Sequence, residues 1–403
     1  MDEKYYILNT KTVIDYINSS IDFFDENADY ECTEIGDGNL NLVFRVKDKN
    51  TNKSLIAKQA LPYVRAAGED WPMDIERGEI ESRILEIEYN LTDGMVPKIY
   101  KYDKEMYVML MEDLHDYIIM RYGLLNNEIY PNFADHITDF LVKTLLLTSD
   151  VVMEHKEKKD SVSAFINAEL CEITEQLVYT EPYGDWPRNN FEDGIKDFVK
   201  ENLWNDEALH LEVAKLKFDF MNNAQSLLHG DLHTGSIFVN QKDTKVIDPE
   251  FFFKQKTAYD IGALLANIMM AYISADARIE EVNLKQRQKD YLVNTLEKTV
   301  DLFQEKFLKL FDSVVTDDMA KVNGFKEYYL KDIMINTAGV TGLEMIRRTV
   351  GFAHVKDLDG INDDAKRIEA KKMNILLAIE LIKNRFETIV GNTYVNRLKK
   401  YVK

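Results

Sequence analysis

An aspartate between two histidines, on a segment with two glycines, is the most conspicuous chemical group of this sequence. The segment HGDLHTGS occupies residues 229–236, with Asp231 between His229 and His233. A carboxylate held on such a loop can orient an attacking hydroxyl and accept its proton. The plainer alternative is an aspartate that only caps a turn between two packed histidines.

A second acidic group follows a short apolar run further along the chain. In VIDPE (246–250), Asp248 ends the run and Glu250 stands two residues later. Carboxylate oxygens of this kind suit Mg²⁺, which keeps water and substrate phosphates as its remaining ligands. The alternative is a simple Asp-Pro turn at the end of a strand.

Two features nearer the N-terminus could hold phosphate groups. Gly36 and Gly38 lie in a turn between predicted strands, where glycines allow backbone N–H groups to approach a phosphate chain. Lys58 lies within an apolar strand, so its amine needs an anion if it is buried. The candidate partners on the following helix are Glu76, Glu79 and Glu81. Of these we select Glu81. The alternative for the glycines is a simple hairpin turn, and the alternative for Lys58 is an edge-strand lysine that faces solvent.

The order of these groups along the chain is more informative than any one of them. A glycine loop, a strand lysine, a helix glutamate, a catalytic aspartate and a metal aspartate follow one another as in kinases. The transition state of phosphoryl transfer spreads negative charge over the phosphoryl oxygens. It therefore requires fixed cations and N–H donors, together with a carboxylate that orients the attacking hydroxyl.

The elements that must position these groups fall into two parts. Residues 1–112 alternate short β-branched and aromatic runs with turn residues, which predicts the order β-β-β-α-β-β. The predicted strands cover residues 30–35, 41–46, 54–59, 96–100 and 106–111, and the predicted helix covers 75–89. From about residue 132 the spacing is helical, and residues 250–403 contain no proline, which permits long helices. The irregular segment 227–253, with short strands at 236–239 and 244–247, contains both aspartates.

Composition bounds the classes of function. The 403 residues, 45% of them hydrophobic, predict two domains with ample core and exclude a disordered chain. A net charge of −20 argues against nucleic acid or an anionic membrane as the main partner. Two cysteines exclude a disulfide scaffold and favour a reducing cytoplasm. The polar N-terminus does not fit a signal peptide, and the apolar stretch 262–275 is too short to span a membrane.

The motifs and their order resemble the protein-kinase-like fold in its small-molecule branch, and most closely the 5-methylthioribose kinase family. The matching segments extend from residue 34 to residue 359: EIGDGNLNLVFRV, LIAKQALPYVRAAGEDWP, VMLMEDL, LLHGDLHTGSIF, KVIDPEF and EMIRRTVGFAHVKDLD. The HGDxH pattern alone identifies only the superfamily. Its pairing with DPE, with the EDWP segment and with the IRR segment identifies the family.

The resemblance implies an α+β, two-lobed protein-kinase-like fold. A small lobe, residues 1–113, would contain a five-stranded antiparallel sheet with one helix and bind the nucleotide. A large, mostly helical lobe, residues 114–403, would contain the catalytic loop, the metal site and the sugar pocket. The implied enzyme is a cytoplasmic homodimer that uses ATP and Mg²⁺ to phosphorylate the 1-hydroxyl of 5-methylthioribose in methionine salvage.

Two other interpretations stay open. One is another small-molecule kinase of the same fold, acting on an aminoglycoside, choline or homoserine. The pair Arg347 and Arg348 argues against a polycationic aminoglycoside. The other is a non-enzymatic nucleotide-binding regulator, for which the loss of Lys58, Asp231 or Asp248 would be typical; all three are present.

The resemblance also assigns roles to individual residues. Asp231 would be catalytic and meet the sugar hydroxyl, while Asp248 and Glu250 would hold the metal. One of Arg347 and Arg348 would reach the substrate and the other would be structural, because adjacent helical residues diverge by roughly 100°. The residues implied to contact ATP are Asn41, Lys58, Glu112, Asp113, Leu114, Asp248, Pro249 and Glu250.

Further residues would support the site. A loop that contains Trp71 would close over it, beside the turn with Gly36 and Gly38. His233 and Ser236 would support the catalytic loop. Related kinases have a metal-binding asparagine at the position of Ser236, so Glu250 would supply the missing oxygen. Residues 254–259 depart from the family pattern, which leaves the conformation of that segment open.

Overall fold

The computed structural model describes residues 5–35, 41–63, 65, 70, 72–165, 167–249 and 254–402. The predicted site residues Gly36, Gly38, Trp71 and Glu250 lie outside the described residues. The chain divides into two units, Met1–Tyr117 with Lys245–Glu250, and Ile118–Thr244 with Phe251–Lys403. The division of roles between residues 1–113 and 114–403 stays a prediction.

The first unit is built on a five-stranded antiparallel sheet of order β1-β2-β3-β5-β4. Its strands are β1 (Tyr30–Glu34), β2 (Asn41–Asp48), β3 (Ser54–Ala60), β4 (Ile99–Asp103) and β5 (Val108–Glu112), and the helix after β3 is α2 (Arg77–Thr92). From β1 onward the predicted order β-β-β-α-β-β is confirmed. Strand β4 begins at Ile99 instead of residue 96.

A second helix, α1 (Thr12–Ser20), precedes the sheet, so the expectation of one helix in this part is wrong. Its residues Val13, Tyr16 and Ile17 are buried in a core shared with the sheet. Their spacing, i, i+3 and i+4, is that of one helix face. A helix this short gains most of its stability from packing of that face.

Alternation along β3 determines the direction of Lys58. Leu55 and Ala57 are fully buried in the core shared with α1. Successive side chains of a strand point to opposite faces of the sheet. Lys58 therefore projects to the other face, where α2 contacts β3 and β5.

The second unit is mostly helical, as the long proline-free stretch predicts. Its longer helices are α4 (Phe133–Leu147), α5 (His155–Ala164), α6 (Ala168–Leu177), α8 (Glu207–Asn222), α9 (Ala258–Arg278), α10 (Val282–Val314), α11 (Phe325–Val350), α13 (Asp364–Lys383) and α14 (Gly391–Tyr401). The short ones are α3 (Met120–Leu125), α7 (Lys196–Val199) and α12 (Lys356–Asp359).

Short strands lie within and next to the irregular segment 227–253. They are β6 (Ile118–Ile119), β7 (Ser226–Leu227), β8 (Ile237–Val239), β9 (Thr244–Val246) and β10 (Lys254–Gln255). The strands predicted at 236–239 and 244–247 are confirmed as β8 and β9. Strand β6 pairs antiparallel with β8, and β7 with β10. The segment 254–259, left open by the sequence, forms β10 and the start of α9.

Helix α9 lies at the centre of the second unit and packs against α10, α11 and α13. All its residues from Ala258 to Ala275 are buried. Of the helices in the described ranges, it alone is long and apolar enough to cross a membrane by length and composition. Its entire apolar window is covered by protein, which is typical of a core helix that is apolar on every side.

Gly262 allows α9 and α11 to approach each other closely. A Cβ atom at this position would lie 2.6 Å from Cβ of Val340 and 2.9 Å from the carbonyl oxygen of Thr337. Neither atom can move without displacing α11, since one is bonded to the backbone and the other belongs to it.

We expect Gly262→Ala to lower the free energy of unfolding by about 1–3 kcal/mol, because the added methyl group overpacks a rigid contact. Gly194→Ala is the control. Its Cβ would also meet an atom at 2.6 Å, but that atom is Cδ1 of Ile368, the flexible end of a side chain. Thermal unfolding of both variants measures the difference, and equal losses of stability would contradict a rigid contact between α9 and α11.

Candidate active site

Lys58 is buried in the first unit between two carboxylates. Its Nζ lies 2.8 Å from Oε1 of Glu81 and 2.5 Å from Oδ1 of Asp248. Glu81, the helix glutamate selected from the sequence, is buried as well, whereas half of the Asp248 side chain is exposed. A buried ammonium requires such partners because it has lost its water. The contact with Glu81 is present, and the role of the pair in nucleotide binding stays a prediction.

Asp248 combines an unusual backbone with an accessible carboxylate. Its φ is 60°, a left-handed conformation that is uncommon for residues other than glycine, and Pro249 follows. Such strained positions cluster at functional sites. No group of three or more His, Cys, Asp or Glu side chains that could hold a metal ion occurs within the described ranges. One accessible carboxylate nevertheless fits Mg²⁺, because that ion takes one or two carboxylates and fills its shell with waters and phosphates.

Asn41, predicted to contact ATP, is buried at the start of β2. Its Oδ1 accepts a hydrogen bond of 2.9 Å from Nη2 of Arg77, the first residue of α2. Asn41, Lys58, Gly78 and Glu81 line one small cavity. The structure thus brings three residues that were predicted separately, Asn41, Lys58 and Glu81, to a single place.

The side chains at 112–114 are engaged within the first unit. The Asp113 carboxylate forms an ion pair of 2.9 Å with Nη2 of Arg45. The Glu112 carboxylate accepts a hydrogen bond of 3.1 Å from the backbone N–H of Lys98, and Leu114 is buried. The role of residues 112–114 in nucleotide binding stays a prediction.

In the second unit, Asp231 has two arginines on one oxygen. Its Oδ1 accepts hydrogen bonds from Nη2 of Arg347 at 3.0 Å and from Nη2 of Arg348 at 2.9 Å. Glu344, one turn earlier on α11, places a carboxylate oxygen 2.7 Å from Nε of each arginine. The two cations are thereby held between two carboxylates.

The expectation that Arg347 and Arg348 point in different directions is wrong. The backbone of α11 does direct adjacent residues apart, but each side chain is long enough to bring its guanidinium back to the shared carboxylates. Both arginines are buried, at 9% and 6% exposure. A buried guanidinium requires compensating charge, so the carboxylates decide where these side chains lie.

His233 contacts Asp231 from the other side of the carboxylate and has a defined tautomer. Its Nδ1 accepts hydrogen bonds from the backbone N–H groups of Gly235 at 2.9 Å and Ser236 at 3.0 Å. The ring proton therefore belongs on Nε2, which lies 3.4 Å from Oδ2 of Asp231. The Ser236 hydroxyl donates to the Asp231 carbonyl oxygen at 2.8 Å and accepts from the His233 N–H at 3.1 Å. Ser236 thus closes the loop through hydrogen bonds.

Asp260, near the start of α9, holds the backbone of the same loop. Its carboxylate accepts hydrogen bonds from the N–H groups of His229 at 2.7 Å and Gly230 at 2.9 Å. Gly230 has a φ of 81°, which side chains rarely permit. Burial raises the pKa of Asp260, against the lowering effect of His229 and of these hydrogen bonds. The loop is therefore anchored on α9, and the arginines that meet Asp231 come from α11.

The charge states of the site follow from these contacts. Burial raises the pKa of Asp231, but His233, Arg348 and Arg347 outweigh it, so the pKa lies well below its ordinary value. Burial lowers the pKa of His233, against the opposing pull of Asp231. At neutral pH the site contains an ionised carboxylate and a neutral imidazole. Such a carboxylate is a weak base that orients a hydroxyl well.

Three arginines that hold these residues in place were not predicted from the sequence: Arg45, Arg77 and Arg121. Arg121 lies 3.0 Å from Asp357 through its Nε, and Arg45 contacts Asp113. Arg77 and Arg121 lie outside the matching segments, and Arg45 lies within one of them without a spacing that marks its role. No local signal therefore identifies these contacts.

We expect kcat at saturating substrates to be level between about pH 7 and 9, because Asp231 stays ionised and His233, whose pKa lies below the ordinary value of about 6.5, stays neutral. A pH–rate profile measures this. An acid limb with an apparent pKa above about 6.5 would contradict the charge states. His233→Gln is the control, since a limb that persists in this variant cannot come from the imidazole.

The known proteins that this chain resembles in sequence are phosphotransferases. The family described as "Phosphotransferase enzyme family" matches residues 31–283. A methylthioribose kinase of Geobacillus sp. (strain WCH70) is 43% identical over 375 residues, which cover 93% of this chain and 91% of that protein. A methylthioribose kinase of Bacillus cereus (strain AH820) is 40% identical over 379 residues, or 94% of this chain and 93% of that one.

A solved structure with similar architecture is the choline kinase from Cryptosporidium parvum Iowa II. It aligns over 96% of this chain and all of that chain with a TM-score of 0.51, at 14% sequence identity. At that identity the likeness concerns the fold alone. The two-lobed, kinase-like α+β fold implied by the sequence is confirmed.

Proposed function

This chain belongs to the phosphotransferase enzyme family and, within it, to the methylthioribose kinases, and we propose that it transfers the γ-phosphoryl group of ATP to the 1-hydroxyl of 5-methylthioribose. The observation that carries the proposal is the placement of the Asp231 carboxylate against Arg347, Arg348 and His233. The product would be 5-methylthioribose 1-phosphate, an intermediate of methionine salvage.

Asp231 would orient the sugar hydroxyl and accept its proton. The bond from the sugar O1 to the γ-phosphorus forms, the bond from that phosphorus to the β–γ bridging oxygen breaks, and ADP leaves with the electron pair. The transition state is loose, so little proton transfer is needed early in the reaction. A carboxylate of low pKa suits that requirement, because it orients the hydroxyl first and takes the proton late.

The first unit would hold the nucleotide. Lys58, fixed by Glu81, would contact the phosphates, with Asn41 nearby and the backbone at 112–114 against the adenine. Asp248 would bind Mg²⁺, with Glu250 as a second ligand. The bound ion would supply positive charge that offsets the negative charge of the phosphates.

Charge in the second unit favours a neutral acceptor over a cationic one. Arg347 and Arg348 lie at Asp231, and Arg121 is close enough to interact with it electrostatically. The carboxylates of Asp231, Glu344 and Asp357 are already paired with these arginines, so they offer little charge to a cation such as choline or an aminoglycoside. The hydroxyl and ring oxygens of a neutral sugar can instead accept hydrogen bonds from guanidinium groups.

The cellular setting completes the proposal. We place the enzyme in the cytoplasm, because Cys32 and Cys171 are free and a reducing compartment keeps them so. We also propose that it works as a homodimer, on the strength of the family resemblance.

A coupled ADP-release assay over a panel of 5-methylthioribose, ribose, choline, homoserine and an aminoglycoside tests the function. We expect turnover with 5-methylthioribose, and a loss of kcat of about 10²–10⁴-fold in Asp231→Ala with ATP affinity retained. Asp231→Asn is a control that keeps the shape and removes the charge. Preference for another acceptor would contradict the substrate, and near-normal kcat in Asp231→Ala would contradict the role of Asp231.

We expect Asp248→Asn to weaken Mg²⁺–ATP binding as well as kcat, because a neutral amide is a poor ligand for a hard dication. Titrations of activity and of nucleotide binding against Mg²⁺ measure both effects. Glu250→Gln should raise the Mg²⁺ requirement by the same argument. Lys58→Met is the comparison variant, since it removes a phosphate contact without touching a metal ligand. An unchanged Mg²⁺ titration in Asp248→Asn would exclude Asp248 as the metal ligand.

A further inference from the structure

Arg121 lies outside the matching sequence segments, yet its main chain is fixed to the catalytic loop. It follows β6, which pairs with β8 so that Ile119 lies opposite Phe238. Its backbone N–H donates a hydrogen bond of 2.9 Å to the carbonyl oxygen of Thr234. Thr234 belongs to the part of the loop between Asp231 and Ser236, so the position of Arg121 is coupled to that of the loop.

The guanidinium of Arg121 reaches three different elements. Its Nε lies 3.0 Å from Oδ2 of Asp357 on α12, and its Nη2 donates a hydrogen bond of 2.9 Å to Oδ1 of Asn267 on α9. Its Nη1 lies 2.8 Å from the place that a Cβ on Gly235 would occupy. With 14% of the side chain exposed, these contacts define its orientation.

Gly235 transmits this contact to Asp231. The same missing Cβ would lie 2.7 Å from Cε1 of His233, so Gly235 fits between the imidazole and the guanidinium only because it has no side chain. The backbone N–H of Gly235 also donates to Nδ1 of His233, whose Nε2 faces Asp231. A continuous series of contacts therefore joins Arg121, Gly235, His233 and Asp231.

Asp357 supplies the counter-charge for Arg121. It is 1% exposed, and by hydrogen-bond geometry neither of its carboxylate oxygens has a partner within the described residues, so its close contact with Arg121 is an ion pair. A buried carboxylate of this kind is costly to keep ionised without a cation. Arg278, in the last turn of α9, also interacts with it, but the Nη2 of Arg278 donates to Asn127 and none of its described contacts is with the catalytic loop.

We propose that Arg121 is a positioning residue of the phosphotransfer reaction, held by Asp357 and Asn267, which fixes the 234–235 turn and thereby the direction of Asp231. The inference rests on the proposed function, because it takes Asp231 as the residue that meets the acceptor. Arg121 touches neither substrate nor reacting atoms in this scheme. It acts through Gly235 and His233.

Arg121→Lys keeps the charge but loses the planar fork that reaches three elements at once. We expect kcat to fall about 10- to 100-fold, since a small misplacement of a catalytic group has effects of that size. The KM for ATP should stay within about twofold, because uniform binding is not changed. Asp357→Asn keeps the shape of the side chain and removes its charge, so it should also lower kcat. It tests the ion pair between Arg121 and Asp357 if Arg121→Lys does not fold.

Arg278→Lys is the matched control, because it alters the other cation near Asp357 and no described contact of the loop. It should change thermal stability without moving kcat by more than about twofold. Normal kcat in folded Arg121→Lys and Asp357→Asn would overturn the inference, and so would an equal loss of kcat in Arg278→Lys. If the wild-type protein turned over no acceptor of the panel, the proposed function would fail. The variants would then be compared on the slow hydrolysis of ATP, in which Asp231 would orient water in place of the sugar.

Discussion

The second unit must keep the carboxylate of Asp231 ionised in a largely buried place. Two arginines on one of its oxygens do so, and Glu344 in turn compensates the arginines. Removal of one partner from a buried ion pair costs about 3–5 kcal/mol, because the remaining charge is left without compensation. The cluster of Asp231, Glu344, Arg347 and Arg348 is therefore stable only as a set, and the surrounding helices must place its members within hydrogen-bonding distance.

Helices α9 and α11 meet that requirement by their close approach. Asp260 on α9 holds the backbone of the loop that carries Asp231, and α11 carries Glu344 and both arginines. Gly262 lies half a turn from Asp260 and allows the backbones of the two helices to come together. The distance between the loop and the arginines is thus set by backbone packing, which is more rigid than any side-chain contact.

The parts of this protein that are periodic or contiguous in sequence could be predicted. Strand alternation identified β1 to β5, the missing proline identified the long helices, and contiguous motifs identified Asp231, Asp248 and Lys58. The contacts that join distant segments could not be predicted, because a residue outside any motif, such as Arg77 or Arg121, finds its partner only through tertiary geometry. Helix α1 was missed because its apolar face is short. The prediction that Arg347 and Arg348 point apart was wrong because the angle between adjacent helical residues describes the backbone and not the ends of long side chains.

The sharing of Asp231 and Glu344 by the two arginines of α11 also bears on how acceptor specificity can change over evolutionary time. Arg347 and Arg348 each contact both Asp231 and Glu344, so their contributions to stability are not additive. Replacement of one arginine leaves a buried carboxylate without its counter-charge, and replacement of Glu344 leaves a buried guanidinium without its counter-charge. A lineage that shifted towards a cationic acceptor would have to alter all three positions of α11 almost together, while Asp231 stays fixed. Charge coupling in this cluster would thus act as an epistatic barrier to a change of acceptor class.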